Sequence, residues 1–437
     1  MNSFFRKIIL VTGDGAAIAV ATYLAVKLVL GENITRYENI YFMLSALLIV
    51  LMAVFFNIYG LFSLIRKRVS EIFLNLIVAI INIFIVTMAI TFFAKGYEYS
   101  RLVIVVDAVF SFLALAAWNY LMHQWEAHCL PQQKVLVAAS AENQAVLIDK
   151  IHRTYGLANS IILSCSGIND ENWKYKTDSV DIVLLDESIS ISEKEEMLRY
   201  AKAQRKMVIL VPTLYEICCG KMYLWQIDDL PTQRVSRMLL TLEQRALKRA
   251  LDIVVAVIAT ALLWPVMLVT ALIVKLDSPG PALYSQERVG LFGRTFMVHK
   301  FRSMRQDAEK LSGPVLASEN DPRITKFGHF MRATRLDELP QLFNVLVGEM
   351  SIVGPRPERP FFVEQFIAEK PEYAYRHNVK PGITGLAQVA AKYNTTAYDK
   401  LVYDLIYIQN VGVMYDLMLM LQTFKVLITK EATEGVK

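Results

Sequence analysis

The chain has 437 residues, 54% of them apolar and only 20% charged, a balance that points to a membrane protein and away from one soluble domain. Its net charge of +5 is small and not gathered into a lysine-rich tail, so no nucleic-acid partner is expected. The cysteines Cys129, Cys165, Cys218 and Cys219 have neither zinc-ligand spacing nor the density of a disulfide scaffold, which fits reduced, cytosolic surroundings.

Four apolar runs open the chain, at about 8–30, 40–61, 72–94 and 102–122. Each is near the roughly 20 residues that carry a helix across ~30 Å of hydrocarbon. Arg6 and Lys7 precede the first run, and Arg66, Lys67 and Arg68 join the second to the third. The other two loops carry mixed charge, at Glu32, Arg36 and Glu38 and at Lys95, Glu98 and Arg101. The positive-inside rule therefore sets both ends of a four-helix bundle in the cytoplasm. Because the first run lacks a small-residue cleavage site, it reads as an anchor. Asp14 and Asp107 fall near or within spans, and a place near the interface is favoured over a polar contact inside the bundle.

From 134 to about 226, strand-like runs at 134–139, 160–165, 181–185 and 207–211 alternate with helical stretches at 141–155 and 192–205. That alternation predicts a small parallel, Rossmann-like sheet. The first turn, Ala138-Ala139-Ser140-Ala141-Glu142, has no glycine to let the backbone approach a pyrophosphate. A structural or regulatory module is expected rather than a dinucleotide site.

A link with Asp228, Asp229 and Pro231 leads to a helical, mixed-charge segment at 235–249 and a fifth apolar run at 250–274. Were that run to cross the bilayer, everything after it would leave the cytoplasm, where nucleotide-activated substrates are found. Lys248, Arg249 and Lys275 flank it, and Pro265 lies near its middle, where proline removes a helix hydrogen bond and favours a bend. A re-entrant helix-break-helix over 248–275 is expected, with a plain kinked span as the alternative.

Beyond 277 the elements become short, with brief strands at 282–285 and 295–300 around Gln286, Arg288, Gly290 and Gly293. Lys300 and Arg302 follow, then a polar segment with Asp307, Glu309 and Lys310 and a turn at 321–325. Next comes Arg332-Ala-Thr-Arg335-Leu-Asp337-Glu338-Leu-Pro340-Gln-Leu-Phe-Asn-Val-Leu-Val-Gly348, with Gly354-Pro355-Arg356-Pro357 close behind. Apolar residues at 336, 339, 342, 343 and 346 keep helical spacing, and Pro340 is tolerated only in a first turn, so a helix is predicted to start at or close to Asp337. Its positive end favours an ionised carboxylate and an approaching phosphate.

Adjacent helical residues point about 100° apart, so Asp337 and Glu338 should have different jobs. An ionised carboxylate can attack phosphorus without a base. Two such charges at ~4 Å repel by about 4 kcal/mol at an effective dielectric near 20, which arginines and a divalent cation would remove. Magnesium, with its usual one or two carboxylates plus phosphate oxygens, suits the pair. The prolines around Arg356 hold its planar fork for bidentate phosphate contact. Arg376 and Lys380, near Gly382 and Gly385, are further candidates for a nucleotide or lipid phosphate. Two amphipathic stretches at 393–409 and 413–430 suit either the membrane interface or a core.

These motifs resemble the bacterial sugar transferases, the polyprenyl-phosphate hexose-1-phosphate transferases of the monotopic phosphoglycosyl transferase superfamily. The likeness covers roughly 248 to the end: Lys248, Arg249 and Asp252 before the proline-broken apolar helix, Gln286 and Arg288, Lys300-Phe-Arg302-Ser-Met304, the Asp337-Glu338 segment, Val353-Gly-Pro-Arg356-Pro, and Val379-Lys-Pro-Gly-Ile-Thr-Gly385. The four spans and the glycine-poor module look like the enlarged members. Many members have serine before the helix proline; here it is Trp264.

The resemblance implies that Asp337 forms a phosphosugar-enzyme intermediate from a UDP-sugar, releasing UMP, and that undecaprenyl phosphate takes the sugar phosphate. It implies that Glu338 holds magnesium, that Arg332 and Arg356 bind phosphate, and that the helix around Pro265 is re-entrant. The product would start a lipid-linked polysaccharide, such as an exopolysaccharide, capsule or O-antigen, for downstream glycosyltransferases. The expected setting is the bacterial inner membrane, with the catalytic domain on its cytoplasmic face.

The expected fold is a membrane protein, an α-helical bundle plus α/β. Residues 1–128 form four transmembrane helices, 129–234 a Rossmann-like domain, and 235–437 a mostly α-helical catalytic domain with the re-entrant helix at 248–275. Lys300, Arg302, Gln286, Arg288, Arg335, Arg376 and Lys380 complete the candidate phosphate-binding set. Which hexose is used, and whether the chain forms a homo-oligomer, are left open. The rival reading is an inactive membrane-anchored sensor or assembly partner. A third is direct attack by the polyprenol without a covalent intermediate, with sequential kinetics.

Overall fold

The computed structural model describes residues 3–31, 34–64, 67–93, 100–129, 132–154, 157–158, 160–220, 222–227, 230–235, 238–305, 323–391 and 395–428. Glu32, Arg66, Lys95, Glu98, Asp228, Asp229, Asp307, Glu309, Lys310 and Asp321, named above, lie outside them. The chain divides into two compact units, 1–212 and 213–437.

The first unit begins with four long helices, α1 (Ser3–Leu30), α2 (Ile34–Ile58), α3 (Val69–Phe93) and α4 (Arg101–Cys129). All are long and apolar enough to span a membrane. Neighbours pack α1 on α2 and α4, and α3 on α2 and α4, burying Leu10, Leu44, Leu76 and Leu115. Asp14 and Asp107 make polar contacts inside the bundle, the reading that the sequence had ranked second. Asp14 is fully buried and receives the Asn119 amide at 2.7 Å, and Asp107 is buried beside Ser111, whose hydroxyl donates to it at 3.4 Å. The pairing of α1 with α4 supplies partners from another helix that hydropathy alone does not reveal.

The same unit continues with β1 (Lys134–Ala138), α5 (Ala141–His152), β2 (Ile161–Cys165), α6 (Trp173–Asp178), β3 (Ile182–Leu185), α7 (Ile191–Ala203) and β4 (Met207–Leu210). The strands form one parallel sheet in the order β2-β1-β3-β4. Side chains alternate across it. Val135 and Val137 pack with Ile151 of α5 on one face, and Leu136 and Ala138 pack with Trp173 and Met197 of α6 and α7 on the other. At the crevice between β1 and β3, where a doubly wound sheet would meet a phosphate, the chain places its own carboxylate. Asp186 accepts from Asn143 Nδ2 at 2.8 Å and from Ser188 Oγ at 2.6 Å, while the Ser140 amide donates to Ser188 Oγ.

The second unit starts with α8 (Leu214–Cys218) and the antiparallel pair β5 (Met222–Ile227) and β6 (Leu230–Val235). The two units thus divide at 212/213, ahead of the domain boundary expected at 234. The cause is the docking of α8 on the carboxyl-terminal helix α14 (Ala397–Asn410), where the Gln409 amide donates to the Ile217 carbonyl.

Helix α9 (Leu242–Asp277) starts at a capping box between Thr241 and Gln244 and runs unbroken through Pro265. The expected helix-break-helix is thus one continuous helix. Its buried residues fall at both ends, with Lys248, Asp252 and Ala256 near one and Met267, Thr270 and Val274 near the other. Between and around them Val257, Ile258, Leu262, Trp264, Leu268 and Leu272 are exposed.

There follow the hairpin β7 (Leu283–Val289) and β8 (Thr295–Phe301), α10 (Lys326–Thr334), a 3-10 turn at Leu336–Glu338, α11 (Gln341–Val347), β9 (Ser351–Val353) and α12 (Pro360–Glu369). A further 3-10 stretch at Pro371–Asn378, β10 (Gly382–Thr384) parallel to β9, α13 (Leu386–Ala390), α14 and α15 (Val413–Ile428) follow in the unit. Ala256, Val298, Leu342, Val345, Leu405 and Tyr407 share its main core. Met267 and Val274 join Phe301 and Met331 in a smaller one. Helices α14 and α15 bury Leu401, Leu405, Ile408 and Leu419 in the main core, which decides for packing on those faces.

Candidate active site

The acidic pair is set by a backbone reversal. Arg335 adopts a left-handed conformation (φ 59°), which stops α10 and turns the chain into the 3-10 turn that carries Asp337 and Glu338. The α-helix expected from Asp337 begins only at Gln341, with Pro340 as its N-cap. Gly348, in the left-handed region at φ 101°, ends it as anticipated.

The two carboxylates meet different surroundings. Glu338 Oε1 accepts from Arg356 Nη2 at 2.7 Å and Lys300 Nζ at 3.2 Å, with Arg335 Nη1 at 3.8 Å. Burial would raise its pKa, but Arg356, Lys300 and Arg335 hold it well below the usual carboxylate range. Asp337 is only 8% exposed, and its Oδ1 has no hydrogen-bond partner among the described residues. Burial pushes its pKa up, the Glu338 charge pushes it further, and Lys300, Arg332 and Arg335 pull it back. A buried acceptor without a partner carries a desolvation cost that a ligand would relieve.

The loop bearing Arg356 is gripped from both sides. Arg288 Nη1 donates to the Pro357 carbonyl at 3.1 Å, and its Nη2 reaches Gln286 Oε1 at 2.7 Å. Arg376 Nη2 donates to the Arg356 carbonyl at 3.0 Å while its guanidinium pairs with buried Asp404 at 2.7 Å. Backbone also presses on backbone here. A Cβ at Gly354 would lie 2.4 Å from the Lys380 carbonyl, so only glycine lets the loop approach β10.

Beneath the loop, α9 fastens β9. Lys248 Nζ donates to the Val353 carbonyl at 2.9 Å and to Asp416 at 2.6 Å, and Asp252 accepts from the Ile352 amide at 3.0 Å and Ser351 Oγ at 2.9 Å. Arg249 donates to the carbonyls of Val345 and Leu346 at the end of α11.

Of the sequence candidates, then, Lys300, Arg335 and Arg356 converge with Arg332 on the acidic pair. Gln286, Arg288 and Arg376 hold the clamp loop instead. Arg302 is a correction: it is buried and donates to the carbonyls of Pro279, Ser278 and Val274, capping the end of α9. Lys380 stands apart from the pair, with its Nζ near Gly348 and among the charges of Arg249, Asp252 and Lys248. Asn344, Asp404 and Asp416 were missed. Each is a buried polar residue on the apolar face of a short helix, and that placement was the available signal.

The donor set suits one divalent cation completed by substrate. No group of three or more His, Cys, Asp and Glu side chains with ligand geometry occurs among the described residues. The Glu338 carboxylate, beside the unpartnered Asp337 Oδ1, could serve as a protein ligand to magnesium, which usually takes one or two carboxylates plus phosphate oxygens.

The sequence profile described as bacterial sugar transferase matches residues 243–430. The chain is 44% identical over 207 residues to the UDP-N-acetylgalactosamine-undecaprenyl-phosphate N-acetylgalactosaminephosphotransferase of Aeromonas hydrophila, covering 47% of this chain and 49% of that protein. It is 40% identical over 232 residues to the UDP-glucose:undecaprenyl-phosphate glucose-1-phosphate transferase of Escherichia coli (strain K12), covering 52% and 50%. To the exopolysaccharide production protein PSS of Rhizobium leguminosarum bv. phaseoli it is 41% identical over 200 residues, covering 43% of this chain and 96% of that one. The match thus spans about half the length of the first two relatives.

Proposed function

Because the chain belongs to the bacterial sugar transferase family, we propose that it moves a sugar 1-phosphate from a UDP-sugar to undecaprenyl phosphate in two covalent steps. The observation that carries this reading is the contrast at 337 and 338: one buried carboxylate with an unpartnered oxygen beside another neutralised by Arg356, Lys300 and Arg335.

In the first step an Asp337 oxygen bonds to the phosphorus that carries the sugar. The bond from that phosphorus to the bridging oxygen breaks, and UMP leaves with the electron pair. In the second step a phosphate oxygen of undecaprenyl phosphate attacks the same phosphorus and Asp337 departs as a carboxylate. Arg356, held by its loop, and Arg332 bind phosphate oxygens, and Lys300 and Arg335 keep Glu338 from repelling the incoming charge. Magnesium, held by Glu338 with substrate oxygens, would supply further neutralisation of the phosphates.

Two different sugars stand in the names of the relatives. The donor proposed is a UDP-hexose, with the N-acetylated form as the alternative. The setting proposed is the cytoplasmic face of the inner membrane, with α9 unbroken but bent at Pro265 so that it enters and leaves the bilayer on that face. Supporting that topology, α9 residues near both ends, Lys248 to Ala256 and Met267 to Val274, are buried against the one unit that carries the site. A straight crossing would separate Ala256 from Val274 by roughly 27 Å along the bilayer normal. Cysteine labelling after 274 in intact cells tests this, because reaction with an impermeant reagent would exclude it.

The activity test is a panel of UDP-sugars with undecaprenyl phosphate and the full chain in detergent. One donor should release UMP before acceptor is added, in an amount equal to the enzyme, with ping-pong kinetics. Sequential kinetics without that burst would favour direct attack, and no UMP from any donor would favour the inactive sensor.

A further inference from the structure

Strand β8 carries Lys300 to Glu338, yet it pairs with a strand on one edge only, since β7 and β8 form a two-stranded sheet. Among the described residues, the other edge is met by the side chain of Asn344. Asn344 Nδ2 donates to the Met297 carbonyl at 2.7 Å, and Asn344 Oδ1 accepts from the His299 amide at 3.2 Å. The carboxamide thereby presents to β8 the donor and acceptor that the peptide of a third strand would present. Its second N–H goes to Glu349 Oε2 at 2.7 Å, which fixes which end of the amide is nitrogen. The residue is 1% exposed, and its own carbonyl accepts from the amides of Gly348, Glu349 and Met350. It cannot shift without moving the end of α11.

We infer that Asn344 is the positioning residue that sets Lys300 against Glu338. It grips β8 immediately before Lys300 from the helix that directly follows the acidic turn, so one side chain fixes the spacing of the two catalytic segments. This inference rests on the proposed transferase chemistry, in which Lys300 neutralises Glu338 while Asp337 attacks. Aspartate at 344 would accept from His299 but turn an oxygen toward the Met297 carbonyl and Glu349. Alanine would leave both β8 groups without their partner.

The test compares the full-length protein with Asn344→Ala, Asn344→Asp, Asn344→Gln, Lys300→Ala and the Asn344→Ala/Lys300→Ala pair, each first checked by thermal unfolding. A misplacement of about 1 Å lowers a rate on the order of 10²-fold, and that loss of UMP-release rate is expected for Asn344→Ala and Asn344→Asp, with the donor KM little changed. Asn344→Gln, which keeps donor and acceptor, should recover part of the rate. In the Lys300→Ala background, Asn344→Ala should cost less than about 3-fold, since coupled residues are not additive.

Full multiplication of the two losses would overturn the inference. A turnover-free readout separates it from the function itself: labelling of Lys300 by an amine-reactive ester should speed up in Asn344→Ala and Asn344→Asp. Unchanged labelling sinks the positioning role even if the transferase reading stands. Faster labelling in a protein that releases no UMP sinks the transferase reading alone.

Discussion

Asp186 in the first unit and Asp337 in the second are both buried aspartates near the amino end of a helix, and their chemistry is opposite. Burial pushes Asp186 up, but hydrogen bonds from Ser188, Asn143 and the Ser188 and Glu187 amides hold it below the usual range. Asp337 has the same burial problem without that compensation, and Glu338 adds to it. The first site is complete in itself. The second is left short of a partner on the oxygen that would react, while the charges that could neutralise it are spent on its neighbour. A buried carboxylate is a functional candidate when its hydrogen-bond inventory is incomplete, not because it is buried.

The largest test of that contrast is Asp337→Asn. Loss of the nucleophile should remove the UMP burst completely, a fall of at least about 10³-fold. Thermal unfolding should hold or rise, since an uncompensated buried charge is removed. A burst that survives would make Asp337 as structural as Asp186. Next is Glu338→Gln, expected to slow the burst on the order of 10²-fold by loosening Arg356 and Lys300. Its acid limb should move to lower pH. Asp337 must be ionised to attack, so activity falls as pH drops through its raised pKa, and removing the Glu338 charge lowers that pKa. A limb that stays in place would mean Glu338 does not act on Asp337 by charge. The mirror experiment is Asp186→Asn, which should leave the burst within about 2-fold yet destabilise the first unit by about 1–3 kcal/mol, because Ser188 and Asn143 lose a charged acceptor.

The contiguous parts of this site were legible in the sequence because the chemistry lies in two short motifs. The alternation of strands and helices, the four spans and the end of α11 at Gly348 followed from periodicity and turn residues. The start of α11 did not. Pro340 was read as a first-turn residue, but the turn is made by left-handed Arg335, a conformation with no sequence marker at arginine. Arg302 was grouped with Lys300 as part of one short motif, but β8 ends at Phe301 and the Arg302 side chain caps α9 instead. Arg376 was read as a phosphate ligand because its acceptor, Asp404, is remote in sequence. The Asn119 partner of Asp14 was hidden for the same reason. Polar partners supplied by another helix leave no local pattern.

The smallest effect concerns a buried group that should register in stability and not in catalysis. His377 follows Arg376 and packs edge-on to Tyr373. Burial and the Arg376 charge lower its pKa from 6.5 to about 4. The unfolded chain therefore binds the proton more readily, and stability from this group is full above about pH 6.5 and declines as pH falls toward 4, by about 3 kcal/mol at most. His377→Gln should flatten the fall in unfolding temperature between pH 7 and pH 4.5. The acid limb of the UMP burst should stay where it is, because that limb belongs to Asp337. If instead the limb moved with His377→Gln and the stability profile did not, the histidine would be acting on the reacting carboxylate, and the separation between completed and uncompleted buried groups would fail inside the catalytic unit itself.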